Sequence, residues 1–539
     1  MPAVSTPGMS GSTTATVDAG PLTIEVAADG RVTGACPRTR PERGFLAEVD
    51  LGPVVGDGVP LTWSKPEVVA DADEFAITRR TTGLEIVLRH SFTSGWTTRL
   101  LIVNTGATQT RLERVALRVR AAPDQRVSGL AAGARACWAT QGGDGQGPVL
   151  AGCLLAGSVA SIAPNTIELD PLVLAPGQRY VVQWRWDVFA SPRSVTLGPG
   201  TDVLLVDTCY ELGEAMLLPL DPDSALVVSD QLRVETVEED DSQGLAVTAD
   251  RPGSYRVELR GAKGDLRLDL TWVRALADQV EVWAVSILAG PRTRAGVVDL
   301  PDVASALVLQ TALGAGGLPD AEQAVDALER YADRLVASAT EPGTGLAVVF
   351  LLGEHGRTGD AEPLGAALTG LRRLLDRDRP PPAGLGLGVL RSVLAGAAIE
   401  RHQVAAVLAG AVRLATRTSG SRGVDDVAAT GELELRLAIR PLLTDDPGEE
   451  RLHALVGRLG ASLGGGLPGG LIGPPGFDEL AHRVAVLRML PEEGLSTATR
   501  MWGAPPAALA HRLTLQVLKG LGDRPGHAAA WLSLVQRHG

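Results

Sequence analysis

The spacing of apolar residues changes partway along this chain, and that change limits the folds open to it more than any other feature. From Pro21 to about Leu288 the dominant period is two. Val115, Leu117 and Val119 alternate with Arg114, Arg118 and Arg120, giving one apolar and one charged face, as on a half-buried strand. Tyr255, Val257 and Leu259 repeat the pattern, followed by Leu266, Leu268, Leu270 and Trp272, with Gly261, Lys263 and Gly264 between them; the pair reads as a hairpin. Leu84 to Phe92 and Thr97 to Asn104 flank Ser94-Gly95, and Tyr180 to Phe189 follows Ala175-Pro176-Gly177. Many short strands with regular turn signals predict an antiparallel sandwich.

From about Asp299 apolar residues recur every third or fourth position. Val325, Leu328, Leu335 and Val336 mark one face of a helix whose other side carries Asp326, Glu329, Arg330, Asp333 and Arg334. Two helices before residue 345, and further ones beginning near Gly345, Glu362, Leu385, Gln403, Val424, Glu449, Phe477, Leu495, Pro505 and Arg524, make about twelve, in hairpins that start roughly every 40 residues. Six hairpins close into a ring or stack as an open solenoid. In a ring the inner helices are apolar nearly all round, as Gly345 to Leu352 and Leu385 to Ile399 are, and their partners amphipathic, as Ala361 to Asp376 is. The pattern favours the toroid.

A chain of 539 residues exceeds what one hydrophobic core supports, so two or three domains are expected. The divisions fall at a disordered tail over 1–18, a β-sandwich domain over 19–195, a second β segment over 196–290 and a helical-hairpin domain over 299–539. The tail has neither a basic start nor an apolar run, so no signal peptide is expected. No apolar stretch approaches the roughly 20 residues of a membrane span, which makes a cytoplasmic location the default and membrane insertion unexpected. A net charge of −13 without a basic stripe argues against nucleic acid.

Metal and nucleophile chemistry find little support. Cys36, Cys137, Cys153 and Cys209 share no metal-ligand spacing and read as buried thiols in a reducing compartment. Seven of the eight His residues lie in the helical half, none in an HExxH or i, i+4 pair, so neither a metal nor another cofactor is expected. The acidic run Glu238 to Asp241 reads as a solvated turn, and the Gly-rich stretch Gly464 to Gly470 as a loop over the ring mouth rather than a phosphate loop. Seven of the nine Trp residues lie in the β part; Trp184 and Trp186 share a strand face, where packing is the leading reading and a sugar-stacking platform the alternative.

In order and layout, a β-sandwich followed by twelve paired helices resembles the glycoside hydrolase and phosphorylase families that join an N-terminal β-sandwich to an (α/α)6 toroid. No motif of those families is matched, so the likeness is architectural. It implies a carbohydrate-active protein acting on or binding an intracellular glycan or glycoside, and, for an enzyme, a general-acid carboxyl with a second carboxylate or phosphate on the opposite side. Such groups sit at inner-helix ends. The candidates are Glu354, which precedes a Gly turn beside His355; Asp425, next to Asp426 at a helix start where capping is the competing role; and Glu432 in the same helical stretch. The helical half has few aromatics for sugar stacking: Tyr331, Phe350, Phe477, Trp502 and Trp531. A non-catalytic scaffold binding a protein partner through the helical surface is therefore the alternative, while a prenyl-type toroid enzyme lacks its Asp-rich motif.

Overall fold

The computed structural model describes residues 15–536 apart from 72, 146, 192–194, 196–207, 220–224, 240–241, 262–263, 317, 339–343, 378, 396–400, 419–424, 443–448, 465–469, 472–475, 492–497, 500–501, 503–504 and 523–524. Among these residues two antiparallel sheets, each of nine strands, pack face to face as the sandwich. One is organised around the strand Thr110–Ala121 beside Leu46–Gly56; the other around Arg179–Phe189 between Val149–Ala156 and Trp96–Asn104. Alternation sets which side chains turn inward. In Trp96–Asn104 the burial pattern is strictly every second residue, so Trp96, Leu100 and Ile102 enter the core with Trp184 and Trp186 from the adjoining strand. Trp96 stacks on Trp186 at 5.0 Å between ring centroids and Trp138 meets Trp186 edge-on at 5.8 Å, so the packing reading of Trp184 and Trp186 holds.

The chain enters the sandwich earlier than its Ser/Thr-rich start suggests. The first strand, Ala15–Ala19, pairs with Leu22–Val26 and buries Val17 and Ala19, correcting the expected tail over its last four residues; the earlier ones lie outside the described residues. The second β region holds a four-stranded sheet containing the expected hairpin, Gly253–Arg260 against Leu266–Val273, and a three-stranded sheet over Met216–Pro219, Leu232–Glu239 and Ser242–Ala249. Glu238 and Glu239 end the middle strand of that sequence, while Asp240 and Asp241 lie outside the described residues.

Among the described residues twelve α-helices follow in the order α1 Leu276–Leu288, α2 Val303–Ala315, α3 Ala321–Ala337, α4 Gly345–Thr358, α5 Ala361–Leu375, α6 Leu385–Leu394, α7 Arg401–Thr418, α8 Asp426–Ile439, α9 Glu449–Ser462, α10 Phe477–Arg488, α11 Pro506–Leu521 and α12 His527–Gln536. α1 lies where the β period was expected to persist. Its β-branched and aromatic composition suits a strand, but Val280, Trp283, Ala284 and Ile287 share one helical face and go into the core. The helix expected near Leu495 falls mostly outside the described residues.

The ring closes. Helices α2, α4, α6, α8, α10 and α12 pack in succession and α12 returns to α2, while α3, α5, α7, α9 and α11 pack on them from outside, with α1 against α2 and α12. This is an (α/α)6-type toroid rather than an open stack. The inner helices α2 and α4 are buried along most of their length, whereas α3 and α5 keep one polar face, as their sequences predict.

Glycines let the inner helices approach. A Cβ on Gly345 would lie 2.3 Å from the backbone of Gly384 at the start of α6, and one on Gly431 would lie 2.1 Å from the Pro381 carbonyl oxygen. Toroid and β regions interlock: Gly470–Leu471, the end of the Gly-rich stretch, adds a short strand to the sandwich beside Ser128–Gly129, and Cys209 Sγ donates to the Leu515 carbonyl in α11. Residues 465–469 of that stretch lie outside the described residues.

Candidate functional site at the domain junction

Consecutive helices run antiparallel through connections as short as the two residues between α4 and α5, so all six inner helices point the same way. Asp425 and Asp426 open α8 at the end facing the sandwich, whereas Glu354 lies in the last turn and a half of α4, toward the opposite mouth. The three predicted carboxylates therefore do not form one cluster.

Each has partners of its own. α4 continues through Gly356 to Thr358, so Glu354 faces inward rather than to the surface, only 1% exposed. It accepts from Gln310 Nε2 of α2 at 2.6 Å and from Arg357 Nε and Nη2 at 3.0 and 2.7 Å. Glu432, equally buried in α8, accepts from Arg436 Nε at 3.0 Å and from Arg451 Nε and Nη2 of α9 at 3.0 and 2.7 Å. Asp425 is the N-cap of α8 and accepts from the Ala428 amide at 2.7 Å, the capping role weighed for it.

Asp426 joins the domains through its side chain. It pairs with Arg126 of the sandwich, with Arg458 of α9 at 3.1 Å and with Arg483 of α10 at 3.8 Å. Burial pulls the Arg483 guanidinium below its ordinary pKa, opposed by Glu479 and Asp426, while the hydrogen bond to Glu432 holds Arg451 above its own. No residue spacing announces this network, because Arg126 and Asp426 are 300 positions apart.

Next to it a cleft of about 1020 Å³ separates the sandwich from α8 and α9. Its β wall carries Glu42, Arg43, Asp124, Arg126 and Asp144, and its helical wall Asp425, Arg451 and Arg458. The wall is closely fitted at the turn that holds Asp144: a Cβ on Gly145 would lie 2.1 Å from the Gly457 carbonyl oxygen in α9. Four guanidinium groups and four carboxylates line the space, without an aromatic ring among the described lining residues. Such a surface hydrogen-bonds hydroxyl and carboxylate groups from both walls and offers no stacking platform.

A further buried carboxylate, Glu434, escaped the sequence reading. Its oxygens accept from the Gly384 and Leu387 amides, both at 2.9 Å, and His482 Nε2 lies 2.8 Å away. Glu434 thus caps α6 from a neighbouring helix, replacing the side-chain cap that Gly384 lacks. His482 packs on Trp531 at 4.6 Å between ring centroids, tying α8, α10 and α12 together. The sequence signal is the uncapped start of α6; nothing local identifies the residue that satisfies it. Among the described residues no group of three or more His, Cys, Asp or Glu is placed to hold a metal ion, and no described helix is long and apolar enough to cross a membrane.

No family model matches the sequence, and no curated protein matches it. Among solved structures, one described as a polysaccharide lyase superposes with a TM-score of 0.72 at 12% identity, covering 93% of this chain and 93% of its own. A family 76 glycoside hydrolase from a bovine Bacteroides thetaiotaomicron strain aligns over 57% of this chain and 76% of its own at 9% identity, with a TM-score of only 0.23. In fold, from the sandwich through the closed helical ring, this chain resembles the structure described as a polysaccharide lyase.

Proposed function

We propose that this chain is a carbohydrate-active protein of the β-sandwich plus (α/α)6-toroid type, and that it engages an intracellular glycan or glycoside in the cleft between the two domains. The observation that carries this reading is the cleft itself: about 1020 Å³, the upper end of the size of small-ligand sites, walled from both domains by hydrogen-bonding side chains. The likeness of fold to a structure described as a polysaccharide lyase supports it by analogy. A cytoplasmic setting belongs to the same reading, supported by four cysteines that are all free thiols.

In this reading Asp425 is the carboxylate that meets the ligand, with Glu42, Asp124 and Asp144 on the facing wall completing the two-sided acid–base arrangement that glycoside chemistry uses. Glu432 acts through Arg451, as a positioning residue, and Glu354 belongs to the far end of the ring. The test is a panel of neutral and acidic oligosaccharides with binding and product release measured together. Asp425→Asn keeps a capping acceptor, so a drop in turnover of roughly 10²-fold with little loss of stability is expected. Wild-type protein that neither binds nor converts any member of the panel defeats the proposal.

Binding without turnover is the second reading. It is favoured by the ion pairs that Glu354 and Glu432 make with arginines, which occupy both carboxylates within the protein. Equal affinity in wild type and Asp425→Asn, with no product from either, would select it.

A further inference from the structure

The strands Arg135–Gly142 and Val149–Ala156 form a hairpin whose turn lines the cleft, and in their ladder Cys137 lies directly opposite Cys153. Their sulfur atoms are 4.0 Å apart. Opposed Cα atoms in an antiparallel ladder are about 4.5 to 5.5 Å apart, inside the range of about 4.4 to 6.8 Å that a disulfide spans, so side-chain rotation alone brings the sulfurs to bonding distance. Both thiols point away from the tryptophan core, in a small cluster with Ala139, Val149 and Ala151 against which Phe189 and Val195 pack. We propose that Cys137 and Cys153 form a reversible disulfide that makes this hairpin, and with it one wall of the cleft, sensitive to peroxide.

The two cysteines divide the chemistry. Cys137 is fully buried, whereas Cys153 is partly exposed, with Arg185 opposite it on the next strand, so Cys153 is the sulfur an oxidant reaches. The hydrogen bond shared with Cys137 lowers the Cys153 pKa against the effect of burial, while the same bond and burial raise that of Cys137. The Cys153 thiolate attacks one oxygen of hydrogen peroxide, the O–O bond breaks, and hydroxide leaves to be protonated to water. The Cys137 sulfur then attacks the resulting sulfenic sulfur, its S–O bond breaks, and the departing hydroxide takes up the Cys137 proton. Two thiols and one peroxide become one disulfide and two waters. A small dithiol reverses the step by exchange.

Cys36 and Cys209 are internal controls. Cys36 donates to the Thr23 carbonyl at 3.7 Å and Cys209 to that of Leu515 at 3.3 Å, neither beside another sulfur. The test exposes the full chain to hydrogen peroxide, then unfolds it, alkylates the remaining thiols and maps the peptides by mass spectrometry. Two of the four thiols should disappear into one Cys137–Cys153 linked peptide and return with dithiothreitol, with native tryptophan fluorescence kept throughout. In Cys153→Ser, Cys137 should remain alkylatable after the same treatment. The proposal is overturned if both thiols of the folded wild type stay free, if Cys153 is overoxidised while Cys137 stays free, or if the link forms only in unfolded protein. None of these outcomes depends on glycan binding.

Discussion

Replacing Glu432 with Gln separates a structural carboxylate from a catalytic one. Glu432 is 1% exposed and takes three hydrogen bonds from two guanidinium groups, Arg436 within α8 and Arg451 on α9. The glutamine oxygen replaces one acceptor, but its amide nitrogen meets a guanidinium N–H, and two positive charges are left facing each other. Breaking a buried ion pair from one side costs about 3–5 kcal/mol. The Arg451 side chain is 28% exposed, so water recovers part of that cost and the lower end, about 3 kcal/mol, applies. At roughly 2–4 °C per kcal/mol for a domain of this size, the helical transition should fall by roughly 6–12 °C in scanning calorimetry. The sandwich transition, read by tryptophan fluorescence, should move far less. Changing Arg436 to Met in the same protein removes one stranded charge and should restore part of the loss. A melting point within about 1 °C of wild type, with glycan turnover abolished, would refute the structural assignment.

Three further outcomes follow from the geometry. His90 is fully buried, and that burial lowers its pKa to about 4; Nδ1 meets Thr98 Oγ1 at 3.1 Å and accepts from Trp96 Nε1 at 3.4 Å, while no described residue bonds Nε2. The unfolded chain binds this proton below about 6.5 and the folded one does not until about 4, so stability is lost as pH falls through that window. The loss is about 3 kcal/mol by pH 4, and His90→Gln should flatten the urea-unfolding pH profile by that amount. Gly345→Ala should destabilise the ring by about 1–3 kcal/mol because backbone lies 2.3 Å from its Cβ, whereas Gly365→Ala, with nothing within 4 Å, should stabilise α5 by about 0.5–1 kcal/mol; paired denaturant titrations decide. Asp425→Ala removes the cap on the Ala428 amide and should cost about 1 kcal/mol by thermal melt, a loss that Asp425→Asn avoids.

What was legible in the sequence is what periodicity encodes. Alternation located Trp96–Asn104 and Arg179–Phe189 and turned Trp184 and Trp186 into the core, and the contrast between Gly345 to Leu352 and Ala361 to Asp376 separated an inner helix from an outer one. It failed where composition disguised the period. Thr16, Asp18 and their neighbours made a strand look like a tail, and Val280 and Trp283 made α1 look like more sheet.

The candidate site was the least legible part, and the reason is physical. A carboxylate at a helix end has the same local sequence whether it caps, pairs or reacts; its partners decide. For Glu354 they are Gln310, 44 positions away, and Arg357, and for Glu432 an arginine 19 positions on in the next helix. Asp425 and Asp426 are adjacent in sequence yet divide the work, one capping α8 beside the cleft and the other binding Arg126 across the domain boundary. Charge at this junction serves assembly first: Arg126, Arg458 and Arg483 converge on Asp426, so the domain boundary is fixed by the residues that also shape the cleft. A substitution at Asp426 therefore changes the wall of the cleft and the seating of the sandwich together, and for that reason Asp425, not Asp426, is the position at which ligand chemistry can be tested without moving a domain.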